Sequence, residues 1–350
     1  MEFGKIVEPL LQWYAQNARQ LPWRDDPTPY RVWISEIMLQ QTRVEAVKPY
    51  FERFVREIPD VRALAEVPEE KLLKLWEGLG YYSRARNLKK AAILLMERYE
   101  GKLPADAGEL AKLPGIGDYT AGAVASIAFG LPEPAVDGNV LRVAARLENS
   151  RENVAVPAVK KELRSRLGKV YPAGRTSAFT QALMELGATV CLPNGEPLCG
   201  ECPLAELCEA RRAGTQDSLP VKAPKPERRV EARTVFLILS GGTAALSRRP
   251  ETGLLAGMWE FPNESGALTP QQAEKTLREW GIDARSMEPL PAAKHVFSHV
   301  EWHMTGYLVQ AEKPVHGFVW ATPEDVFGDY PVPSAYRAYL KILRHMAGEK

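Results

Sequence analysis

Two carboxylates in the first half of the chain have surroundings that favour acid–base chemistry. Glu36 lies within VWISEIML, a largely apolar run at residues 32–39. If it faces a dry pocket, loss of hydration raises its pKa and makes it a usable acid near neutral pH. Asp137 stands directly before the helical pattern GNVLRV, where the helix dipole and free N–H groups hold a carboxylate ionised. The pair predicts an acid and a fixed anion, although Glu36 also fits a solvent-exposed helix face and Asp137 a plain helix cap.

A glycine-containing turn precedes Asp137. Residues 113–117 read LPGIG, and apolar residues at helical spacing follow. Gly115 and Gly117 let the backbone approach a ligand closely, and free N–H groups at a helix start attract anions. A phosphate diester suits both properties. The alternative is an ordinary turn between helices, but a phosphate-binding turn followed by a fixed carboxylate indicates chemistry on nucleic acid.

The cysteines form one cluster near the middle of the chain. All four lie within eighteen residues, at Cys191, Cys199, Cys202 and Cys208. In a reducing compartment such clustering argues for a metal site rather than disulfides. Four thiolates suit either an iron–sulfur cluster or an all-cysteine zinc site, and the ligand type alone does not choose between them.

Length and composition indicate a globular protein of about two domains. The chain has 350 residues, 45% of them hydrophobic and 25% charged, with a formal net charge of +1. Any nucleic-acid contact must therefore use local basic residues. The run Arg84, Arg86, Lys89 and Lys90 is a candidate, and it equally fits a solvated helix face. No secretory leader and no apolar run of membrane-spanning length is visible, which predicts a cytoplasmic protein without a membrane partner.

Hydrophobic spacing divides the chain into two domains joined by a linker. Residues 1–212 carry apolar residues at three-to-four spacing in several runs and should be mostly helical; the clearest runs are 30–55, 69–79, 83–99 and 159–171. Residues 213–230 are rich in proline and charge and predict an extended linker. Residues 231–350 predict a smaller α/β domain, with strands in 234–240, 295–311 and 317–321 and helices in 269–281 and 334–346.

Two motifs resemble a known superfamily. The stretch from LPGIG to Asp137 resembles the helix-hairpin-helix and catalytic aspartate of the endonuclease III superfamily of DNA glycosylases. The motif WISEIMLQQT resembles the start of the catalytic helix in one family of that superfamily, the adenine DNA glycosylases or MutY family. The resemblance implies a mostly α-helical helix-hairpin-helix domain with an iron–sulfur cluster loop, followed by an α/β Nudix-like domain. It also implies a bacterial, nucleoid-associated monomer that acts on double-stranded DNA and removes adenine mispaired with 8-oxoguanine or guanine.

The resemblance assigns roles to the chemical residues. Glu36 protonates the adenine, and Asp137 stabilises the oxocarbenium-like sugar or bonds transiently to its anomeric carbon. Asn139 orients these groups or is an ordinary first-turn residue. Tyr119 stands where strand-cutting relatives carry a lysine for a Schiff base, so it predicts a monofunctional enzyme. Its hydroxyl is expected to bond Asp137 or a phosphate, or its ring simply packs the hairpin.

A base in a duplex must be flipped out of the stack before it can react. The resemblance implies that Gln41 fills the gap and that Tyr81 intercalates on the lesion strand. It also implies that Thr42, Gly115 and Gly117 contact DNA. The adenine pocket is assigned, with Arg19 nearby, to Trp23, Arg24, Leu39, Val44 and Gln181. The alternative for Tyr81 is a packing role at a helix end.

The resemblance also covers the cysteines and the C-terminal third. It implies that the four cysteines hold a 4Fe–4S cluster, although the first gap has seven residues where the family usually has six. GLLAGMWEFP and LREWGI are similar to the surroundings of a Nudix box, but Glu279 is flanked by Arg278 and Trp280, which disfavours a pyrophosphatase. Phe297, Ser298 and His299 match the loop that reads 8-oxoguanine, or His299 is structural.

Three other functions remain possible from the sequence. One is a thymine or mismatch glycosylase of the same superfamily, which Gln181 and the C-terminal module argue against. Another is a non-catalytic DNA-binding iron–sulfur protein, which the presence of both Glu36 and Asp137 argues against. The third is a Nudix hydrolase, disfavoured by the depleted acidic set.

Overall fold

The computed structural model describes residues 2–222 and 227–348. Residues 223–226, within the predicted linker, lie outside the described residues. The chain divides into two compact units. The first comprises Met1–Val67 and Arg86–Pro224, and the second comprises Pro68–Ala85 and Lys225–Lys350.

Helices make up the first 213 residues. Their bounds are α1 Val7–Asn17, α2 Pro22–Asp25, α3 Pro29–Leu39, α4 Val44–Glu57, α5 Val61–Glu66, α6 Glu69–Leu75, α7 Ser83–Arg98, α8 Ala107–Leu110, α9 Asp118–Phe129, α10 Gly138–Leu147, α11 Pro157–Gly168, α12 Thr176–Thr189 and α13 Glu209–Ala213. Short 3₁₀ turns lie at Phe3–Ile6, Ala205–Leu207 and Gln216–Ser218. The last of these turns and a chain reversal at Gly214 fall within the predicted linker, whose described part is therefore not uniformly extended.

The periodic run at 30–55 forms two helices rather than one. Pro29 occupies the first turn of α3, and the Thr28 side chain accepts the N–H of Arg31, which sets where the helix begins. The chain leaves α3 after Leu39, and Gln41 adopts a left-handed φ of 57°. The break cannot be seen in the apolar spacing, because α4 resumes the same period. It places the loop 40–43 between two helices instead of inside one.

The hairpin before α9 packs against α7. Gly115 has a φ of 77°, and a Cβ atom added there would lie 2.7 Å from Cβ of Asn87. Both the backbone conformation and the close approach therefore require glycine. Ile116 is buried beneath the turn, whereas Gly117 faces open space at the start of α9. Helices α10 and α12 continue this core with apolar side chains, and they also bury the charged side chains of Arg142, Arg146 and Glu185.

The second unit is built on a seven-stranded sheet. Its strands are β1 Arg229–Ser240, β2 Thr243–Arg248, β3 Trp259–Glu260, β4 Asn263–Ser265, β5 Ala284–Val296, β6 Val300–Ala311 and β7 Val319–Ala321. The order is β3-β2-β1-β6-β5, with β4 paired to β1 and β7 paired to β2. Strands β1 and β6 run parallel, and the other pairs are antiparallel.

Alternate residues of β1 pack on opposite faces of this sheet. Val235 and Leu237 join one core with the C-terminal helices α15 Pro323–Gly328 and α16 Arg337–Met346, whereas Phe236 and Ile238 join another with α14 Pro270–Glu279.

The apolar run at 295–311 is interrupted by a tight turn at 297–299, where the Phe297 N–H donates to the Val300 carbonyl (2.8 Å). Within residues 2–222 and 227–348, no helix combines the length and apolarity needed to cross a membrane.

Candidate active site

A cavity of about 330 Å³ opens in the first unit. This volume lies in the range of sites that hold small organic ligands. Eleven of the residues predicted for catalysis, the base pocket or DNA contact line this cavity: Trp23, Arg24, Glu36, Leu39, Gln41, Thr42, Val44, Tyr119, Asp137, Asn139 and Gln181. They come from α2, α3, the loop 40–43, α4, α9, α10 and α12, so tertiary packing brings them together.

Glu36 is buried and bonded to Tyr119. Its side chain is in α3 and is 5% exposed. Glu36 therefore does not lie on a solvent-exposed helix face, which was the alternative from the sequence. The Tyr119 hydroxyl donates to Oε2 of Glu36 (2.5 Å). Burial raises the pKa of Glu36 to about 7, and the Tyr119 hydrogen bond only partly opposes this rise. The expected partners of Tyr119 were Asp137 or a phosphate, and its hydroxyl instead bonds the acid.

Asp137 is a helix cap and also lines the cavity. Its Oδ1 accepts the Val140 N–H (2.7 Å), and its Oδ2 accepts the Asn139 amide (2.8 Å). Burial raises the pKa of Asp137 above its ordinary value, while these two hydrogen bonds act to lower it. From the sequence alone, a helix cap and a catalytic carboxylate were alternative roles for Asp137. The geometry allows both, because capping aligns the carboxylate at the cavity wall.

Asn139 is itself held from the opposite side by Arg142. Nη2 of Arg142 donates to Oδ1 of Asn139 (2.9 Å) and to the Gly187 carbonyl (2.7 Å), and Nε donates to the Cys191 carbonyl (2.8 Å). A Cβ atom on Gly187 would lie 2.5 Å from Cβ of Asn139, so α12 approaches α10 here as only glycine permits. The amide therefore has a fixed orientation and is more than an ordinary first-turn residue.

Glu185 is a cavity residue that the sequence argument missed. Its side chain is 1% exposed, and its carboxylate accepts from Nε of Arg19 (2.6 Å), from Nη2 of Arg19 (3.0 Å) and from Nη2 of Arg24 (2.8 Å). Burial acts to raise the pKa of Glu185, but these guanidinium bonds outweigh it and hold the pKa below its ordinary value. Its spacing of four residues from Gln181 on α12 was the available sequence signal.

The remaining predicted residues lie outside this cavity. Gly115 and Gly117 form the turn before α9, as described above. In the second unit, Tyr81 follows α6, and its hydroxyl lies 2.6 Å from Oγ of Ser298. Ser298 and His299 are exposed in the β5–β6 turn, while Phe297 packs edge-on against Trp302 with ring centroids 4.9 Å apart.

The four cysteines line a second, smaller cavity of the first unit. Buried Arg146 donates from Nη1 to Sγ of Cys191 (3.3 Å), and the Gln216 amide donates to Sγ of Cys199 (3.9 Å). Burial raises the pKa of Cys202 to about 12. Within residues 2–222 and 227–348, no group of three or more His, Cys, Asp or Glu side chains is placed to hold a metal ion. The chemistry of four thiols that line one cavity beside a buried arginine fits a four-thiolate group.

Family models match both halves of the chain. Residues 34–169 match the HhH-GPD superfamily of base excision DNA repair proteins, and residues 234–341 match the NUDIX domain. The chain is 34% identical to the adenine DNA glycosylase of Homo sapiens, over 97% of this chain and 74% of the relative. The chain belongs to the adenine DNA glycosylase family. A second member, from Buchnera aphidicola subsp. Baizongia pistaciae, is 37% identical over 84% of this chain and 83% of its own length.

Solved structures place this glycosylase among its superfamily. A structure described as a thermostable thymine-DNA glycosylase matches with a TM-score of 0.55 and 28% identity, over 60% of this chain and 97% of that one. A non-covalent endonuclease III–DNA complex matches with a TM-score of 0.52 and 28% identity, over 61% and 97%. The predicted fold class, a helical glycosylase domain followed by a Nudix-like α/β domain, is confirmed, as is the predicted family.

Proposed function

We propose that this protein is a monofunctional glycosylase that excises adenine mispaired with 8-oxoguanine or guanine in double-stranded DNA, acting as a monomer. The observation that carries the proposal is a desolvated carboxyl group, Glu36, whose pKa lies at about 7 in a cavity shared with a second carboxylate, Asp137. A group of this kind is partly protonated at neutral pH and is therefore an acid.

Glu36 acts first in the proposed reaction. Its O–H transfers a proton to a ring nitrogen of the flipped adenine, and the electron pair of the glycosidic C–N bond leaves with the protonated base. The sugar then carries oxocarbenium-like positive charge. The low polarity around Glu36 favours the neutral acid before transfer, and the Tyr119 hydroxyl stabilises the carboxylate that forms after it.

Asp137 stabilises the positive sugar electrostatically or through a transient bond to the anomeric carbon. Its two hydrogen bonds, to Val140 N–H and to Asn139, hold one orientation and support the ionised form against burial. A preorganised anion of this kind costs no rearrangement when charge develops. Water completes the reaction by adding its oxygen to the anomeric carbon and releasing a proton.

The residues around the cavity support base removal without strand cleavage. A Schiff base with the sugar requires an amine, and position 119 supplies a phenol. The cavity-lining residues, all in the described part of the first unit, include no lysine. Glu185 orients the guanidinium groups of Arg19 and Arg24 toward the base site.

The assignment of Gln41 and Tyr81 as wedges gains support from their backbones. Both residues are left-handed, with φ of 57° and 48°, a conformation that costs residues with a side chain and that concentrates at functional sites. Both also have exposed side chains, which leaves them accessible to a DNA stack.

The lesion-reading assignment is supported by a contact within the second unit. Tyr81 and Ser298 are 217 residues apart in sequence, and their hydroxyl oxygens are 2.6 Å apart. The proposed intercalating residue and the proposed 8-oxoguanine reader therefore form one surface. Phe297 anchors the loop on Trp302 and leaves Ser298 and His299 exposed to a base edge.

We also assign a 4Fe–4S cluster to Cys191, Cys199, Cys202 and Cys208. Their shared cavity and the donation from Arg146 to Cys191 support a thiolate-bound group, and the alternative is a single zinc ion. Such a group would tie together the loop that follows α12. Iron and sulfide content and visible absorbance of the purified protein distinguish the two.

A single-turnover assay tests the proposed reaction. A duplex with adenine opposite 8-oxoguanine is incubated with wild type, Glu36→Gln or Asp137→Asn, and the strand is analysed with and without alkali. We expect wild type to yield breaks only after alkali and both variants to lose at least about 100-fold in rate. Excision unaffected by either substitution overturns the mechanism. Excision of thymine from a G·T duplex instead of adenine overturns the substrate assignment.

A further inference from the structure

The loop that carries Tyr81 has an unfavourable backbone conformation. It joins α6 to α7 within the second unit, and Gly78, Gly80 and Tyr81 have φ of 99°, 72° and 48°. A left-handed backbone is unfavourable for a residue with a side chain, so neighbouring contacts must hold it. The Tyr81 side chain is 44% exposed, and its own burial therefore supplies little of that stabilisation.

Arg84 supplies contacts on the inner side of this loop. The residue is 8% exposed, and its Nη2 donates to the carbonyls of Leu79 (3.1 Å) and Gly80 (3.0 Å). Its guanidinium also lies over the Tyr81 ring, 5.5 Å from the ring centroid. Burial lowers the pKa of Arg84 to about 10, so the group stays cationic at neutral pH. A buried cation is stable only with such dipolar and aromatic partners.

Trp76 also contacts this loop and the Arg84 side chain. Its side chain is fully buried, its Nε1 donates to the Gly80 carbonyl (3.1 Å), and its ring centroid is 5.3 Å from the Arg84 guanidinium. The Gly80 carbonyl thus accepts from both side chains, directly before Tyr81. The backbone N–H of Arg84 donates to the Tyr81 carbonyl (2.9 Å), which fixes the chain directly after it.

We propose that Arg84 is a positioning residue that orients Tyr81 for entry into the DNA stack, and that it does not neutralise a phosphate. The inference rests on the proposed function of Tyr81 as a wedge. The basic run at 84–90 predicted either DNA contact or a solvated helix face, whereas the Arg84 guanidinium is buried and donates to two carbonyls of the preceding loop. A planar guanidinium can stack on a ring while donating to two carbonyls, which a lysine ammonium cannot match.

A double-mutant cycle tests whether Arg84 acts through Tyr81. The full chain is prepared as wild type, Arg84→Met, Tyr81→Ala and the double variant. Binding is measured by fluorescence anisotropy on a duplex with 8-oxoguanine opposite a non-cleavable adenine analogue. We expect each single substitution to weaken binding about tenfold, the scale of one lost stacking contact. The double variant should bind no more weakly than Tyr81→Ala alone. Losses that multiply in the double variant overturn the inference.

Two further measurements separate positioning from charge. Because Arg84 is buried, Arg84→Met should leave the salt dependence of binding at the wild-type slope; a shallower slope would indicate a phosphate contact and contradict the proposal. Arg98→Met is the matched control, because it removes an exposed arginine from the other end of α7, and we expect affinity within about twofold of wild type. If Arg84→Met does not fold, Arg84→Lys replaces it in the cycle with the same expectation.

The outcomes also separate this inference from the proposed function. If wild type excises adenine but Tyr81→Ala binds normally, the wedge assignment fails, and the inference fails with it. If Tyr81→Ala binds weakly and the cycle is additive, only the role of Arg84 fails.

Discussion

Replacing Tyr119 by phenylalanine should move the pH dependence of adenine excision to higher pH. The Tyr119 hydroxyl donates to the carboxylate of Glu36 at 2.5 Å and partly offsets the effect of burial, which leaves the pKa of Glu36 at about 7. A hydrogen bond to a charged group contributes about 1.5–3 kcal/mol, and 1.36 kcal/mol corresponds to one pKa unit. Without this bond, the pKa of Glu36 should rise to about 8–9.

The sign of the change follows from the form that reacts. If protonated Glu36 is the acid, excision is constant below its pKa and falls above it. At pH 9 a group with a pKa of about 7 is roughly 1% protonated, and a pKa of about 8–9 raises this fraction by about 10- to 50-fold. Relative to its own plateau, Tyr119→Phe should therefore excise more adenine at pH 9 than wild type does.

Single-turnover excision measured from about pH 5 to 9.5, with each profile scaled to its plateau, provides the test. Tyr171→Phe is the matched control. Tyr171 is a buried tyrosine outside the cavity lining, and its hydroxyl accepts from Thr180 (3.0 Å), so its replacement removes the same atom without touching Glu36. An alkaline limb that stays in place in Tyr119→Phe, or moves to lower pH, would refute the reasoning. A rate that rises with pH would show that Glu36 does not act as an acid.

Three further outcomes follow from the same cavity and hairpin. Glu36→Gln should stabilise the protein at pH 8 and not at pH 4. Between pH 4.5 and about 7 this carboxyl ionises in the unfolded chain but stays protonated in its buried site, which lowers the free energy of unfolding by on the order of 3 kcal/mol. Thermal unfolding at both pH values checks this, and an equal gain at both would contradict it. Glu185→Gln should lower the free energy of unfolding by about 2–4 kcal/mol, because the guanidinium groups of Arg19 and Arg24 then face a neutral amide. The expected loss is smaller than for a fully buried pair, since Arg19 is 34% exposed. A urea titration measures the loss, and an unchanged titration would contradict the prediction. Asp118→Asn removes an 87% exposed carboxylate from the first residue of α9, beside the turn that we propose binds a DNA phosphate. Because this carboxylate repels the phosphate, duplex affinity should rise about two- to fivefold at low salt and less at high salt. Unchanged or weaker binding would show that the phosphate binds elsewhere.

Much of the fold was readable from local patterns. The helical and α/β halves follow from apolar spacing and from β-branched and aromatic runs, which depend on neighbouring residues only. The patterns did not show where a run of one type is broken. The run at 30–55 keeps one period through the left-handed Gln41, and the run at 295–311 continues through the turn at 297–299. Both breaks carry proposed DNA-contact residues, so the less regular segments are the ones assigned to binding.

The base cavity was less readable than the fold. Its predicted residues were identified from short sequence motifs, and tertiary packing brings those residues together around the cavity. Glu185 was missed because its spacing from Gln181 indicates a shared helix face, but an isolated glutamate does not indicate burial. Arg84 was read as one cation of a surface run, yet its side chain is buried under its own loop. For Glu185 the missing information was its partners, Arg19 and Arg24, which lie 166 and 161 residues away in sequence. For Arg84 it was the conformation of the preceding loop, which turns the Leu79 and Gly80 carbonyls toward the guanidinium.

The amino-acid sequence shows which groups are available: a carboxyl among apolar residues, a carboxylate before a helix, a phenol in place of an amine, and four clustered thiols. How these groups affect one another depends on the tertiary structure. Glu36 and Tyr119 are 83 residues apart, and Tyr81 and Ser298 are 217 apart. The pKa of a carboxyl depends on the water it loses and the donors it gains, and both are set by residues that the fold brings in from elsewhere in the chain.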